Sequence, residues 1–562
     1  MPIQSRIDSA RSVAGRRFSE LVLPFSSIGD MLRSRAVETP DCTWLVYYDE
    51  HGARTTLTFW EFLRCVRRVA AFLLSRGITR GSRVATLGHN HSDTVIQYFA
   101  AWWIGATVVP LNAGEDEERL AWILENSGVT LAFVRGEYID TAIACRSNLP
   151  ALETIVVAGA TDERFVTFSE IISHDPESLP DPVLDALGDE CLIVYTSGTT
   201  GNPKGVLLAH GNLLADAQGI SEWHGVTRDS RMMCVLPIHH VNGTVVTLVT
   251  PMFAGAGVVL NRKFQSGTFF PRLAAERVDI VSVVPTLLAF LVQADIDTTA
   301  LDLGHFRHII CGAGPLTCEL AARFEERYAV PIIHGYGLSE TTCYSCFLPV
   351  GQDPRVHRAW MTDHGFPSIG VPIPQNEMAI HDEQGNPVAA GERGEIVIRG
   401  HNVMIEYYNN PPANEAAFTH GWFRSGDEGF HEIGEEGLPY FFITGRIKEL
   451  IIRGGVNISP LEIDEVLNSH PGVDAGIAVA FENNWYGEEV GAYVRRSDPT
   501  LSEADLLAFC HTQLPFYKAP KVVIFGEDIP VTSTGKYQRN RVKSLFSDYR
   551  ETQFQPSERG KM

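Results

Sequence analysis

The sequence lacks a hydrophobic run long enough to cross a membrane. Its longest apolar stretch, Val278 to Leu291, is interrupted by Pro285 and falls short of the ~18–20 uninterrupted residues that a span needs. The segment from Met1 to Glu20 carries arginines but has no apolar core of the kind found in secretory signals. We therefore predict no membrane span and no secretory signal.

Positive charge is also scarce. The chain has 46 Lys and Arg against 68 Asp and Glu, which gives a formal charge of −22. A chain this acidic is not expected to bind nucleic acid or to dock electrostatically on anionic lipid. An anionic substrate remains compatible with it, because local clusters of cations decide that, and not the total charge.

Cysteines are present but are not grouped as in metal sites. Only Cys343 and Cys346 of the ten cysteines form a C-x-x-C pair, and no second pair lies at metal spacing. We interpret them as packing or pocket-lining residues, with redox or metal chemistry as the alternative. Scattered, unpaired cysteines are typical of a reducing compartment, so we predict a cytoplasmic location.

Alternating helical and strand patterns fill the first part of the chain. Phe59 to Ser75 and Thr94 to Trp103 have helical patterns, and Arg83 to Leu87 has the pattern of a buried strand. Such alternation predicts a parallel sheet with helices on its faces. Since single cores stop growing at ~250–300 residues, the 562 residues predict at least two domains.

The pattern changes twice towards the C-terminus. From Glu377 onwards, short strands with turn signals follow one another, and from Glu449 onwards a small unit mixes helices and strands. In that unit Pro460 to Ser469 and Leu501 to Leu514 are predicted helices, the second with Ser502 as its N-cap.

A loop rich in glycine and hydroxyl groups lies at residues 195–206, after an apolar strand-like run and ahead of a helical pattern from His210 to Trp223. Its glycines let backbone N–H groups approach an anion, and Lys204 adds a cation. The loop lacks the Gly-Lys-Ser/Thr ending of a Walker A element. It nevertheless suits the β- and γ-phosphates of a nucleotide.

This loop resembles the phosphate loop of the adenylate-forming superfamily, which contains acyl-CoA synthetases, stand-alone adenylation domains and firefly-type luciferases. Four further stretches resemble the family's motifs in the family's order, and the resemblance runs from about residue 25 to about residue 545. The four stretches are residues 335–341, 422–427, 445–449 and 534–536.

The resemblance implies a fold and its division. It implies an α/β fold in which a large domain of parallel-rich sheets and a distorted β-barrel, residues 25–447, is hinged to a small α+β domain, residues 448–562. The hinge residue is Lys448, and residues 1–24 form an N-terminal extension. The assembly is left open, with a homodimer as one form.

The resemblance also implies a set of residues that contact ATP and coenzyme A. Those around the phosphates, the adenosine and the pantetheine path are Thr196, Ser197, Gly198, Thr199, Thr200, Gly201, Lys204, Gly312, Ala313, Gly314, Gly335, Tyr336, Gly337, Ser339, Asp427, Arg446, Lys448, Gly454 and Gly455. Tyr336 is expected to stack on adenine, and Asp427 and Arg446 are expected to bind the ribose.

The implied chemistry is carboxylate activation. The acid attacks the α-phosphorus of ATP, pyrophosphate leaves, and the acyl-adenylate then passes its acyl group to a thiol. Lys204 is expected to hold the leaving phosphates, Glu340 to hold Mg²⁺, Lys536 to contact the carboxylate and α-phosphate, and His240 to gate the carboxylate pocket. Arg453, beside Gly454 and Gly455, is expected to meet a phosphate of coenzyme A.

The acid itself is not fixed by the motifs. Residues 236–243 hold no Asp for a substrate ammonium, which disfavours an amino acid. Arg355, His357 and Arg358 suggest a polar or second carboxylate, with a solvated loop as the alternative. An acyl-CoA synthetase is preferred, the other interpretations being an adenylation enzyme that loads a carrier protein, an idle binding homologue and a luciferase-like oxygenase.

Overall fold

Two large mixed sheets with helices on their faces make up most of the molecule. The computed structural model describes residues 2–147, 149–176, 178–196, 202–531 and 537–555. The first sheet has eight strands, in the spatial order Glu406–Tyr407, Lys204–Ala209, Glu190–Thr196, Thr107–Asn112, Arg83–Gly88, Leu131–Arg135, Thr154–Ala158 and Val166–Thr167. From Glu190–Thr196 to Val166–Thr167 neighbouring strands are parallel, as the alternating pattern predicted.

The second sheet has nine strands. Their order is Val371–Pro372, Cys346–Phe347, Ile332–Tyr336, His308–Cys311, Ile280–Val283, Arg231–Cys234, Gly257–Asn261, Thr43–Tyr48 and Arg54–Thr58. The central strands are parallel and the outer ones antiparallel. The carboxyl ends of parallel strands meet at one edge of a sheet, where open α/β sheets bind ligands; here the loops after His308–Cys311 and Ile332–Tyr336 begin at that edge.

The helices of the large domain cover these two sheets. They are Ile28–Glu38, Phe59–Ser75, Ser92–Trp103, Glu117–Ser127, Ile139–Arg146, Phe168–Ser173, His210–Trp223, Thr250–Ala254, Ser266–Ala275, Pro285–Ala294, Cys318–Tyr328, Pro354–Thr362 and Pro411–Ala417, with a π-helix at Asn242–Val249. Nowhere among the described residues is a helix both long and apolar enough to cross a membrane.

The longest of these helices shows how the sequence sets its bounds. The Thr58 hydroxyl accepts the N–H of Glu61, and the Glu61 side chain accepts the N–H of Thr58, so the first turn is capped in both directions. Buried side chains at Phe62, Val66 and Leu73 follow the helical period and face the core. Gly77, at φ +77°, turns the chain after the helix.

A four-stranded antiparallel sheet follows, formed by Asn376–His381, Gly394–Gly400, Phe423–Ile433 and Pro439–Arg446. The N-terminal helix Ile3–Ala10 is held to this region by an ion pair between Arg6 and Glu415, and the N–H of Ala14 donates to Glu377 at 2.6 Å. The N-terminal segment is therefore packed against the large domain.

The C-terminal part has its own sheet and its own core. Its strands are Val456–Ile458, Ile451–Arg453, Gly487–Arg496, Val473–Asn483 and Val522–Phe525, and its helices are Pro460–Asn468 and Glu503–Gln513. The Ser502 hydroxyl accepts the N–H of Asp505, which confirms the predicted N-cap. The mixed helices and strands confirm the predicted small α+β unit.

Candidate functional site

The predicted phosphate loop joins two antiparallel strands. Thr196 ends one strand and Lys204 begins the next, and the two residues face each other, with the Thr196 hydroxyl donating to the Lys204 carbonyl at 3.4 Å. The strand Lys204–Ala209 was not predicted, whereas the predicted helix His210–Trp223 is confirmed. Five of the predicted phosphate ligands lie outside the described residues: Ser197, Gly198, Thr199, Thr200 and Gly201.

Lys204 and Glu340 contact different parts of one aromatic side chain, that of Tyr407. The Lys204 ammonium is 4.7 Å from the centre of the Tyr407 ring, and the Tyr407 hydroxyl donates to Oε1 of Glu340 at 2.7 Å. Burial, reinforced by the Glu340 charge, raises the pKa of Tyr407 well above its usual value, so the phenol stays a donor. Within the described part of the chain, neither Lys204 nor Glu340 takes part in an ion pair.

Glu340 fits the hard oxygen chemistry of Mg²⁺, but it is a single ligand. It lies on a 3-10 turn, Ser339–Thr341, where it is buried. A buried carboxylate is normally paired or bound to a metal. Since the described residues contain no cluster of three His, Cys, Asp or Glu side chains that could hold a metal, the other ligands would be phosphate oxygens and water.

A tight turn fixes the loop that carries Tyr336 and Glu340. Thr342 has φ +64°, and the N–H of Cys343 donates to the carbonyl of Thr341 at 2.7 Å, which makes a three-residue turn. Gly337 lies so close to the Cys343 carbonyl that an added Cβ would overlap it. A side chain is therefore excluded at Gly337 by backbone contact.

Asp427 is the centre of a second group. Oδ1 of Asp427 forms an ion pair with Nε of Arg446 at 2.8 Å, and Oδ2 accepts a hydrogen bond from the hydroxyl of Tyr336 at 2.6 Å. The Asp427 carboxylate raises the pKa of Arg446 further, so the guanidinium remains charged. These three predicted residues come from separate strands. Asp427 and Arg446 form an ion pair, and the Tyr336 phenol donates a hydrogen bond to the same carboxylate.

A cavity of about 190 Å³ brings most of the predicted adenosine residues together. The large domain contributes Ala313, Gly314, Gly335, Tyr336, Gly337, Asp427 and Arg446, and the small unit contributes Glu449, Pro460, Leu461, Asp464, Glu465, Asn468, Tyr537 and Arg539. Gly312 is not among the described residues that line this cavity; a Cβ added there would be 2.6 Å from the Tyr344 hydroxyl and 2.7 Å from the Gly335 carbonyl. The walls are therefore supplied by both domains.

Glu465, one of the residues that line this cavity, makes a contact between the two domains. Its two carboxylate oxygens accept the N–H of Cys318 at 3.1 Å each, at the N-terminus of the helix Cys318–Tyr328. Burial at the interface raises the pKa of Glu465 to about 8. A titratable carboxylate of the small unit is therefore docked on a helix of the large domain.

A wider cleft, of about 980 Å³, lies next to the cavity and includes His239 and Tyr537. The rings of His239 and His240 are 4.3 Å apart, and burial lowers the pKa of His239 to about 4. Tyr537 lines both spaces, and its neighbour Lys536 lies outside the described residues. His240, the neighbour of His239, is not among the described residues that line the cleft, and its role at the carboxylate pocket stays a prediction.

Three buried polar side chains, one of them two residues after His240, are linked by hydrogen bonds. The Ser282 hydroxyl donates to Oδ1 of Asn242 at 2.7 Å, and Nδ2 of Asn242 donates to the hydroxyl of Tyr344 at 3.2 Å. All three side chains are buried. They end beside Gly312, so polar groups lie directly behind the predicted substrate region.

The predicted residues of the second half-reaction lie elsewhere. Lys448 is on the exposed 3-10 turn Ile447–Glu449, and Gly454 and Gly455 form the turn between two strands of the small unit. Arg453 was expected to meet a coenzyme A phosphate, but it is buried and its Nε donates to Glu489 at 2.7 Å. That expectation was wrong for this arrangement of the domains.

The basic cluster proposed for the acid pairs with a neighbouring helix. Nε2 of His357 lies 2.8 Å from Glu325, and Arg358 pairs with Glu326 at 2.9 Å, both partners being on the helix Cys318–Tyr328. The alternative, a solvated surface, fits this geometry for Arg358.

Sequence reasoning missed Tyr407 and Glu465. The pair Tyr407-Tyr408, placed just before a loop of Asn and Pro, was a visible aromatic signal. Glu465 had none, because its role depends on a helix more than a hundred residues earlier in the chain.

Known proteins resemble this chain over most of its length. The sequence model described as AMP-binding enzyme matches residues 32–408, and that of the AMP-binding enzyme C-terminal domain matches residues 462–536. A sulfoacetate–CoA ligase of Cupriavidus necator is 34% identical over 520 residues, which cover 92% of this chain and 97% of the relative. A feruloyl-CoA synthase of an Amycolatopsis species is 33% identical over 497 residues, covering 88% and 95%.

A solved structure has the same fold. The ATP-bound MatB of Rhodopseudomonas palustris superposes with a TM-score of 0.81 at 25% identity, over 93% of this chain and 100% of that one. These matches confirm the resemblance that the five motifs indicated, and they confirm the predicted α/β fold of a large and a small domain.

Proposed function

Since this chain belongs to the family of AMP-binding enzymes and is an AMP-forming carboxylate–CoA ligase, we propose how its residues divide the reaction. The acid is activated where the 190 Å³ cavity meets the wider cleft, with adenosine in the cavity and the phosphates towards Lys204. ATP and coenzyme A fit the family. The convergence of Asp427, Arg446 and Tyr336 in that cavity carries the proposal.

Each part of the nucleotide, the ribose, the phosphates and the adenine, has proposed binding residues. Asp427 accepts hydrogen bonds from the ribose hydroxyls, and Arg446 donates to ribose or phosphate oxygen. Ser339 donates to the α-phosphate, and Lys204 and the loop 197–201 hold the β- and γ-phosphates. Adenine lies between Tyr336 and the backbone of residues 312–314, whose glycines allow close approach.

Mg²⁺ is the proposed metal, held by Glu340 together with phosphate oxygens. When bound, it neutralises charge on the phosphates as pyrophosphate leaves. The chain's own residues align the carboxylate with the α-phosphorus: His240 borders its path, and Lys536 contacts both reacting groups. The second step, in which a thiolate displaces AMP from the acyl-adenylate, follows a swing of the small domain about Lys448 that brings Gly454 and Gly455 to the thiol path.

We propose an acid that carries a polar group beyond its reacting carboxylate. The support is the chain of Ser282, Asn242 and Tyr344 beside Gly312, since buried polar side chains favour a substrate that completes their hydrogen bonds. Among the relatives, a sulfoacetate–CoA ligase and an oxalate–CoA ligase are named for short acids with a second anionic group. A feruloyl-CoA synthase is named for an aromatic acid.

The test separates the two half-reactions. Lys536→Ala is expected to lose pyrophosphate–ATP exchange by at least about 100-fold, yet to keep thioester formation from supplied acyl-adenylate. Lys543→Ala, on a partly exposed lysine near Glu488, is the matched control. Equal loss of both steps would refute the division of labour. Pyrophosphate release over sulfoacetate, oxalate, ferulate and a long-chain acid, with coenzyme A or a carrier protein, identifies both substrates.

We also propose that the protein forms a homodimer and that it is cytoplasmic. A homodimer is checked by light scattering of the purified chain, and the cytoplasmic location by cell fractionation.

A further inference from the structure

A short segment connects the two halves of the candidate phosphate site. We call Met404 to Tyr407 the bridging segment. The N–H of Ile405 donates to the carbonyl of Leu207 at 2.8 Å, in the strand that starts at Lys204. The N–H of Met404 donates to the carbonyl of Glu340 at 2.8 Å. The bridging segment therefore fixes the strand after the phosphate loop relative to the turn that carries the acidic residue.

Tyr407 repeats this connection with its side chain. Its hydroxyl donates to Glu340 at 2.7 Å, and its ring face lies 4.7 Å from the Lys204 ammonium. Its backbone is held on both sides by Asn414, whose Oδ1 accepts the Tyr407 N–H at 2.7 Å and whose Nδ2 donates to the Tyr407 carbonyl at 3.1 Å. The buried ring is thus anchored between an ammonium and a carboxylate.

The separation of these two charges has a chemical consequence. An ammonium and a carboxylate within reach of each other attract strongly at low dielectric and neutralise one another. Both would then be less available to an incoming nucleotide. An aromatic face stabilises a cation and a phenol stabilises a carboxylate, and neither contact cancels the charge it stabilises.

We propose that Tyr407 is a positioning residue that acts as a spacer between Lys204 and Glu340. It keeps the ammonium available for phosphate oxygens and the carboxylate available for the metal, and it prevents the two from pairing before the nucleotide arrives. The inference rests on the proposed function of this site. We assign Tyr407 no contact with the acid or with the reacting phosphorus.

Two substitutions separate the two contacts of Tyr407. Tyr407→Phe keeps the ring under Lys204 and removes the hydroxyl from Glu340, so metal binding is expected to weaken about tenfold while metal-free nucleotide binding stays within about twofold. Tyr407→Leu removes both contacts and lets Lys204 pair with Glu340, so both affinities are expected to fall about tenfold or more. The matched control is Tyr408→Phe. In the wild-type protein the Tyr408 hydroxyl accepts a hydrogen bond from Arg83 at 2.8 Å and does not contact Glu340.

The measurements do not depend on turnover. Mn²⁺ binding is followed by electron paramagnetic resonance with α,β-methylene-ATP present, and nucleotide binding alone by calorimetry in EDTA. A third variant is decisive: adding Glu340→Gln to Tyr407→Leu removes the partner of Lys204. Metal-free nucleotide affinity is then expected to return to within about threefold of wild type, a rescue that a purely structural role would not give.

Several results would contradict the proposal that Tyr407 is a spacer. One is unchanged Mn²⁺ affinity in Tyr407→Phe; another is the absence of rescue by Glu340→Gln in a folded double variant. Equal losses in Tyr408→Phe would show a general effect of the strand. If Tyr407→Leu does not fold, Tyr407→Phe decides the question, since it loses one hydroxyl only. A wild-type chain that binds no nucleotide would instead overturn the proposed function, and the spacer with it.

Discussion

The two ends of the candidate nucleotide site hold their charges in opposite ways. At the ribose end Asp427 and Arg446 pair directly at 2.8 Å, with the Tyr336 hydroxyl on the same carboxylate. At the phosphate end Lys204 and Glu340 form no ion pair within the described residues, and Tyr407 lies between them. One end holds a paired cation and anion, and the other keeps them separate.

The difference follows from what each end would bind. A ribose diol is neutral and needs donors and acceptors in fixed places, which a preformed ion pair supplies at no cost in net charge. Triphosphate and Mg²⁺ are charged, so the residues that meet them must keep their own charges uncompensated until binding. Two similar sets of residues, each a cation, a carboxylate and a tyrosine, are therefore arranged differently.

The largest expected loss of activity comes from a substitution that disturbs both the ribose end and the phosphate end of the site. Gly337 lies between Tyr336 and Glu340, and a Cβ there would overlap the Cys343 carbonyl, which is backbone and cannot move alone. We expect Gly337→Ala to reduce pyrophosphate–ATP exchange by at least about 100-fold, because a misplacement of the loop by about 1 Å can itself cost that much.

The control for Gly337→Ala is Gly267→Ala. Gly267 lies in the helix Ser266–Ala275, and an added Cβ there meets no atom within 4 Å. Alanine should stabilise that helix by up to about 1 kcal/mol and leave exchange unchanged. Normal AMP binding in Gly337→Ala, measured by calorimetry, would show that the loop tolerates the methyl group and that the contact does not set the ribose end.

Breaking the ribose end alone comes next. Asp427→Asn removes the charge that pairs with Arg446 and weakens the acceptor of Tyr336. Hydrogen bonds to charged groups are each worth about 1.5–3 kcal/mol, so AMP affinity should fall about 100-fold. Calorimetry with AMP in EDTA measures this end without the metal.

Mn²⁺ affinity sharpens that experiment. At saturating α,β-methylene-ATP it should stay within about twofold of wild type in Asp427→Asn, because the metal site is at the other end. Glu428→Gln, a neighbour that accepts the Thr444 hydroxyl at 2.6 Å, is the control. A joint loss of AMP and Mn²⁺ binding would mean that the two ends are one unit, contrary to the comparison.

The closure of the ribose end should depend on pH. The pKa of Glu465 is raised from its ordinary value of 4.5 to about 8 by burial at the interface, with Asp464 and Glu319 adding to the rise. The docked state therefore binds more protons than the undocked one between these values, and its stability falls as the pH rises through about 8. The small domain should dock less firmly at pH 9 than at pH 6.

Small-angle scattering of the free protein at the two pH values measures that change. Glu465→Gln keeps an acceptor for the Cys318 N–H and should remove the pH dependence. Glu462→Gln, on the same helix but paired with Lys518 at 2.7 Å, should retain it. The same pH response in both variants would assign the effect to other groups.

The residues that sequence analysis identified are those with local signals. Thr196, Lys204 and Gly337 belong to glycine- and hydroxyl-rich stretches whose chemistry is visible in a few neighbouring letters. The parallel sheets were predictable for the same reason, since alternating hydrophobic patterns are local. The strand Lys204–Ala209 was missed because one short apolar run between a loop and a helix has no period of its own.

Residues whose roles depend on distant partners were not predictable. Tyr407 contacts Lys204 and Glu340, and its strand pairs with the strand Lys204–Ala209, about 200 positions earlier in the chain. Arg453 read as a free cation beside two glycines, but Glu489, 36 positions later, pairs with it in the core of the small unit. A sequence shows that a charge exists, and the fold decides whether that charge is already matched.

The smallest expected effect is at a matched pair outside the site. Arg358 and Glu326 are both largely exposed, at 65% and 63% of their side-chain surface, and they lie 2.9 Å apart. Such pairs contribute about 0–1 kcal/mol, so Arg358→Ala should change neither the unfolding temperature measurably nor kcat/KM by more than about twofold for any acid in the panel. A loss of kcat/KM confined to sulfoacetate or oxalate would show that Arg358 contacts the acid after all. In that case a solvated cation, not only the buried chain behind Gly312, would select the substrate.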